Sequence, residues 1–134
     1  MSLDLTPLDR SIARLAEALD IYARDPSQTL IRDGLVQRFE FTYEVAHKML
    51  KRALETTSAS PEQYDRMTFA DLIRSDNEQG LLPGDWPQWR TYRDMRAPAS
   101  HSYNESVALE VVGGIGGFLR EAEHLRDALA ARGI

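Results

Sequence analysis

Leu35-Val36-Gln37-Arg38-Phe39-Glu40-Phe41-Thr42-Tyr43-Glu44-Val45-Ala46-His47-Lys48-Met49-Leu50 is the stretch from which the fold is read. Leu35, Phe39, Thr42, Ala46, Met49, Leu50 and Ala53 recur three or four residues apart, which places them on one face of a helix. Tyr43 and Leu54 lie beside that face. The spacing predicts one long helix from about Gln28 to Thr56. Gly34 sits inside it at a cost of about 1 kcal/mol against alanine. It either permits close approach to another helix or marks the true start.

The pattern repeats on both sides. Upstream, Thr6-Pro7 looks like a cap followed by a first-turn proline. Leu8, Ile12, Leu15, Leu19 and Tyr22 then share a face, and Asp25-Pro26 should end that helix. Downstream, Ser60-Pro61-Glu62-Gln63 resembles a capping box. A helix carrying Phe69, Leu72 and Ile73 should follow and end near Gly80. Leu81-Leu82-Pro83-Gly84-Asp85 is a turn. Trp86, Trp89, Tyr92 and Met95 mark another helix, with Pro98 expected to close it. The last helix should start near Ser102 or Tyr103, with Val107, Val111, Gly114, Phe118, Leu125 and Leu129 as its apolar stripe. No segment alternates as a strand would, and no Asn-Gly or Asp-Gly hairpin occurs. The expectation is an all-α, antiparallel up-and-down bundle of four to five helices. A shorter helical pair should lie between the second helix and the last.

The 134 residues are enough for one hydrophobic core, so a single domain over residues 1–134 is expected. No apolar run is long enough to cross a bilayer. Asp4, Asp9 and Arg10 interrupt the start, so no secretory pattern is read there. Cysteine is absent, which excludes disulfides and thiolate metal sites and suits a reducing cytoplasm. The three histidines have no zinc spacing. Glu40 and Glu44 share a face but lack further ligands, so they are expected to be solvated or paired with arginines. No metal or cofactor is expected. The formal charge of -5 argues against a general nucleic-acid coat. Any RNA contact must use a local basic surface, and Arg90, Arg93 and Arg96 are preferred over Lys48, Lys51 and Arg52. Gly113-Gly114-Ile115-Gly116-Gly117 follows no strand and has neither phosphate-loop spacing. Its glycines are expected to serve close helix packing, with a dimer contact preferred. His47 and His124 are expected to be exposed. Phe39, Phe41 and Tyr43 should serve core and interface, and Trp86 and Trp89 should anchor the short helix.

The chemistry concentrates in Arg96-Ala97-Pro98-Ala99-Ser100-His101-Ser102-Tyr103. Arginine can neutralise phosphate oxygens through its planar fork of donors. Histidine can exchange a proton near neutral pH. Together they can run phosphodiester chemistry without a metal. The structural alternative is a helix-end arginine beside a capping histidine.

The Arg-x4-His spacing resembles the signature of HEPN domains, small helical bundles of which many cut RNA. Tyr103, two residues after His101, resembles the branch paired with minimal nucleotidyltransferases and usually named nucleotidyltransferase substrate-binding proteins. Leu30 to Glu44 is similar to that branch's second helix. Trp89 stands seven residues before Arg96, as the family's tryptophan does, and Asn104 and Glu105 also fit. The resemblance implies that Arg96 and His101 are catalytic in a metal-independent endoribonuclease toxin, and that two copies meet to form the site. It implies a homodimer, an RNA substrate and a minimal nucleotidyltransferase antitoxin that silences the chain by transferring AMP to Tyr103. Arg93, Ser100 and Ser102 are possible supporting groups. The alternative is a non-catalytic subunit that binds the nucleotidyltransferase or its substrate. One departure is Ala97, where the family usually has a polar residue, often asparagine. Alanine cannot hydrogen-bond substrate or orient His101, whereas Pro98 can stiffen the turn.

Overall fold

The computed structural model describes residues 3–99 and 104–133, apart from the side chains of 97–99. Every regular element among them is helical. In order they are α1 (Thr6–Arg24), α2 (Thr29–Thr57), a short 3-10 helix (Pro61–Arg66), α3 (Phe69–Glu78), α4 (Trp86–Ala99) and α5 (Glu105–Arg132). The long helices form the expected antiparallel bundle. α1 and α2 run side by side in opposite directions, as two cross-links between them show. Thr42 Oγ1 donates to the Ser11 carbonyl at 3.3 Å, and Arg38 Nη1 to the Arg14 carbonyl at 2.9 Å. α5 packs against α1, α2 and α4. No described helix is long and apolar enough to cross a membrane.

The periodic faces are the buried ones. Leu35, Phe39, Ala46, Leu50 and Ala53 of α2 are fully buried, as are Ile115, Phe118, Leu125 and Leu129 of α5. The core centres on aromatic rings from three helices. Phe39 meets Phe118 edge-on at 5.0 Å, and Phe118 meets Trp89 at 5.7 Å and Tyr92 at 5.5 Å. Edge-to-face pairing at such distances adds to the burial of the rings.

Helix ends differ from expectation in four places. Thr6 lies within α1, not before it; Leu5 is the N-cap residue, and the Asp4 carboxylate accepts from the Thr6 N–H at 3.0 Å. Ser60 makes no capping bond, and Pro61 opens the 3-10 helix instead of α3. Thr68 caps α3, its hydroxyl accepting from the Asp71 N–H at 3.2 Å. Pro98 lies in the last turn of α4, which runs one residue past it. α5 begins at Glu105, later than Ser102 or Tyr103. Asn104 Oδ1 caps it by accepting from the N–H groups of Ser106 and Val107 at 2.9 and 3.3 Å. An N-cap side chain of this type satisfies donors that the helix leaves open.

The glycine cluster leaves α5 continuous. A Cβ on Gly114 would lie 2.5 Å from Met95 Sδ, and one on Gly117 would lie 3.1 Å from the Tyr92 hydroxyl. These two glycines therefore let α4 approach α5 within the chain, which corrects the expected dimer contact at these positions. A Cβ on Gly113 would meet nothing within 4 Å among the described residues.

Candidate functional site

α4 is fixed at its beginning by one buried carboxylate. Glu121 Oε1 of α5 accepts from Trp89 Nε1 at 2.9 Å and from the Gly84 N–H at 3.0 Å. Gly84 is required there, because a Cβ would stand 2.8 Å from that same oxygen. Seven residues beyond Trp89, at the far end of α4, comes Arg96.

Arg96 lies across α2. Its guanidinium pairs with the Glu44 carboxylate and sits 5.7 Å from the centre of the Tyr43 ring. Both members of the ion pair stay about half exposed. Glu40, Tyr43, Glu44 and His47 follow one another at helical spacing, so one side of α2 presents all four to the end of α4. Burial pushes the Tyr43 hydroxyl up to about 12, so it stays protonated at neutral pH. Burial also raises the Glu40 carboxyl, against the opposing pull of Arg96. His47 is half-buried rather than exposed, its ring 4.1 Å from Phe69. Burial and then the nearby Arg96 charge lower its pKa, which favours a neutral imidazole. The cluster thus holds a cation on an aromatic ring beside a carboxylate and a half-buried histidine. Such an arginine can exchange its carboxylate for a phosphate oxygen without losing the ring beneath it.

The other sequence candidates divide. Arg93 lies over the Trp86 ring at 5.1 Å and pairs with Asp94 at 3.3 Å, one turn from Arg96. Arg90 is exposed on the same helix. Of the two outcomes expected for Glu44, solvated or paired with an arginine, it takes the second while staying half exposed. Trp89 is fully buried and Trp86 partly so. Phe39 and Tyr43 are core, whereas Phe41 is 63% exposed. His124 is exposed, with Nδ1 3.2 Å from the Leu81 carbonyl oxygen. Ser100, His101, Ser102 and Tyr103 lie outside the described residues.

Sequence reading missed Arg32. Its side chain is only 3% exposed, yet it lies on α2 and bonds Glu105 Oε1 at 3.1 Å and Asp33 at 3.5 Å. It ties α2 to the first residue of α5, directly after the motif. The available signal was its phase, since Arg32 precedes Leu35 and Phe39 on the buried face.

Comparison with known proteins agrees with this architecture. The family model described as "Nucleotidyltransferase substrate binding protein like" matches residues 3–131. A Haemophilus influenzae protein named probable ribonuclease HepT is 33% identical over 127 residues, covering 93% of this chain and 86% of the relative. A solved Haemophilus influenzae structure, described as revealing the fold of a substrate-binding domain of a nucleotidyltransferase, superposes with a TM-score of 0.86. That structure is 31% identical, with 95% of this chain and 99% of the other covered. On its helices, its aromatic core and its likeness over nearly its whole length, the chain belongs to the nucleotidyltransferase substrate-binding protein family.

Proposed function

We propose that residues 1–134 act as a single HEPN-like domain, a metal-independent endoribonuclease toxin of the cytoplasm. The carrying observation is the seating of Arg96 on Tyr43 and Glu44 at the end of α4, five residues before His101. Arg96 neutralises the scissile phosphate. His101 takes the proton from a ribose 2'-hydroxyl or gives one to the departing 5'-oxygen. The 2'-oxygen forms a bond to phosphorus as the bond to the 5'-oxygen breaks, leaving a cyclic phosphate and a 5'-hydroxyl. Two copies in a homodimer supply both roles, one His101 as base and the other as acid. A minimal nucleotidyltransferase transfers AMP from ATP to the Tyr103 hydroxyl, the phenolic oxygen losing its proton and bonding the α-phosphorus as pyrophosphate leaves, and the added phosphate occupies the place of the RNA phosphate beside Arg96. The ribonuclease name of the Haemophilus influenzae relative supports this reading.

A second reading is a non-catalytic subunit that binds the nucleotidyltransferase or its substrate. The Arg96–Glu44 pair favours it, since it engages the arginine without substrate. RNA cleavage by the purified protein separates the two. Cleavage lost in His101→Ala supports the enzyme. Equal cleavage by wild type and His101→Ala refutes the catalytic role and leaves the binding subunit.

A further inference from the structure

α4 carries more aromatic surface than the motif uses. Trp86, Arg93 and Arg96 stand seven and three residues apart, so they share one face of the helix. Opposite that face are Phe69 of α3 and Tyr43 and His47 of α2. The rings form one row. Trp86 meets Phe69 edge-on at 5.9 Å, Phe69 lies 4.1 Å from His47, and Tyr43 lies 6.2 Å from Phe69. A guanidinium sits at each end of it. Arg93 is 5.1 Å from the centre of the Trp86 ring, and Arg96 is 5.7 Å from that of Tyr43. Trp86, Phe69 and His47 are only partly buried, so the row reaches the surface.

Anchoring of α4 accounts for Trp89, which is fully buried and bonded to Glu121. It does not account for an arginine laid on a half-open tryptophan. The carboxylate beside Arg93 belongs to the next residue, Asp94, and is 61% exposed; the Glu44 carboxylate on Arg96 is 51% exposed. Pairs this open contribute little. A phosphate oxygen can take the place of either carboxylate.

We propose that this row is a second nucleotide subsite, in which Arg93 holds the RNA phosphate next to the one on Arg96 and the intervening base stacks on Trp86 and Phe69. The proposal rests on the ribonuclease reading above and names what the site grips beside the reacting phosphate. Residues three apart on a helix have Cβ atoms about 5–6 Å apart, and neighbouring phosphates of one strand are separated by a comparable length. Cations that track the backbone, with rings between them for the bases, are the usual means of holding a single strand. The net charge of -5 rules out a broad attractive field, so local cation and ring contacts must carry the binding. Stacking on a ring accepts any base, but only an unpaired base can reach one. The subsite therefore demands a free base at that position and sets little preference for its identity.

The probe is a short, fluorescently labelled RNA with 2'-methoxy groups, which cannot be cut by 2'-hydroxyl attack. Its binding is read by anisotropy across a salt series. Trp86→Leu should weaken binding about tenfold and leave the salt dependence unchanged, whereas Trp86→Phe should keep most of the affinity. Arg93→Gln should lower the slope of log affinity against log salt by about 0.7, the share of one single-strand phosphate. Probes with one abasic residue, placed at each position in turn, test stacking on the unaltered protein. One position should reproduce the Trp86→Leu loss, and Trp86→Leu should then add nothing to it. A wild type that does not bind the probe, abasic and Trp86→Leu losses that simply add, or a slope unmoved by Arg93→Gln overturns the proposal. Binding of this probe needs no catalysis. If the coupled loss appears and ordinary RNA is not cut, the ribonuclease reading fails and the subsite stands; if RNA is cut equally well by wild type, Trp86→Leu and Arg93→Gln, the reverse holds.

Discussion

Asp76 makes the stability of the fold depend on pH. It lies on α3 with no accessible surface, and among the described residues neither carboxylate oxygen has a hydrogen-bond partner. Burial pushes its pKa up to about 8, from 3.8 when solvated. The folded chain therefore holds this proton more tightly than the unfolded one. The stability contributed is complete below pH 3.8, falls as pH rises towards 8, and is gone above it. The slope inside that window is about 1.4 kcal/mol per pH unit, and the whole span is roughly 6 kcal/mol as an upper bound. For a chain of this size that is about 5 °C of melting temperature per pH unit. The perturbation is Asp76→Asn, which keeps the shape and removes the titration. Thermal melts of both proteins by circular dichroism from pH 5 to 9 provide the assay. Other titrating groups are common to both and cancel in the difference. The melting temperature of Asp76→Asn minus that of wild type should climb with pH up to about 8 and then level off. Parallel curves from pH 5 to 8 would refute the buried, unpaired carboxylate.

Gly113→Ala should stabilise by about 1 kcal/mol, since the added methyl meets open space in a helix. Gly117→Ala should not, because its methyl would press on the Tyr92 hydroxyl, which Gln88 Nε2 holds by a bond of 2.8 Å; urea melts of the two compare them. Arg96→Ala should abolish RNA cleavage while costing at most about 1 kcal/mol of stability, because the Glu44 pair is half exposed; cleavage and melting are measured on one preparation. Tyr103→Phe should keep cleavage and escape silencing, with no adenylyl group found by mass spectrometry after incubation with the nucleotidyltransferase and ATP. An adenylyl group on another residue would overturn the Tyr103 assignment.

The helices were legible because burial enforces period. The face Leu35, Phe39, Thr42, Ala46, Met49 is read from spacing alone, and all five residues are buried. The caps were less legible. Ser60-Pro61-Glu62-Gln63 has the letters of a capping box, but Ser58 Oγ accepts from the Ser60 N–H and the Gln63 side chain, both at 3.0 Å. Local hydrogen bonding of that kind competes with a helix start. Arg96 was legible from its motif, but its pairing with Glu44 was not, since the spacing of Glu40 and Glu44 left them either solvated or paired with arginines. The seat beneath it was not, because Tyr43 is remote in sequence and meets Arg96 only when α4 lies across α2. His47 was misjudged for the same reason. Its charged neighbours suggested a wet surface, whereas Phe69 of another helix covers its ring.

The attachment of α4 at both ends to different helices has a mechanical consequence. Glu121 clamps the start of the helix to α5, and Glu44 holds its far end on α2. Between these two attachments, Tyr92 and Met95 lie against Gly117 and Gly114 of α5, so the angle of α4 is set by contacts along its whole length. Loosening the joint at Glu121 would swing Arg96 through an arc, though seven residues, about 10 Å, separate Trp89 from Arg96 along the axis. A mutational scan scored by activity would therefore flag Glu121, Trp89 and Gly84 alongside the motif. Melting curves would tell these hinge positions from the arginine itself, since only the hinge positions would lose stability and function together.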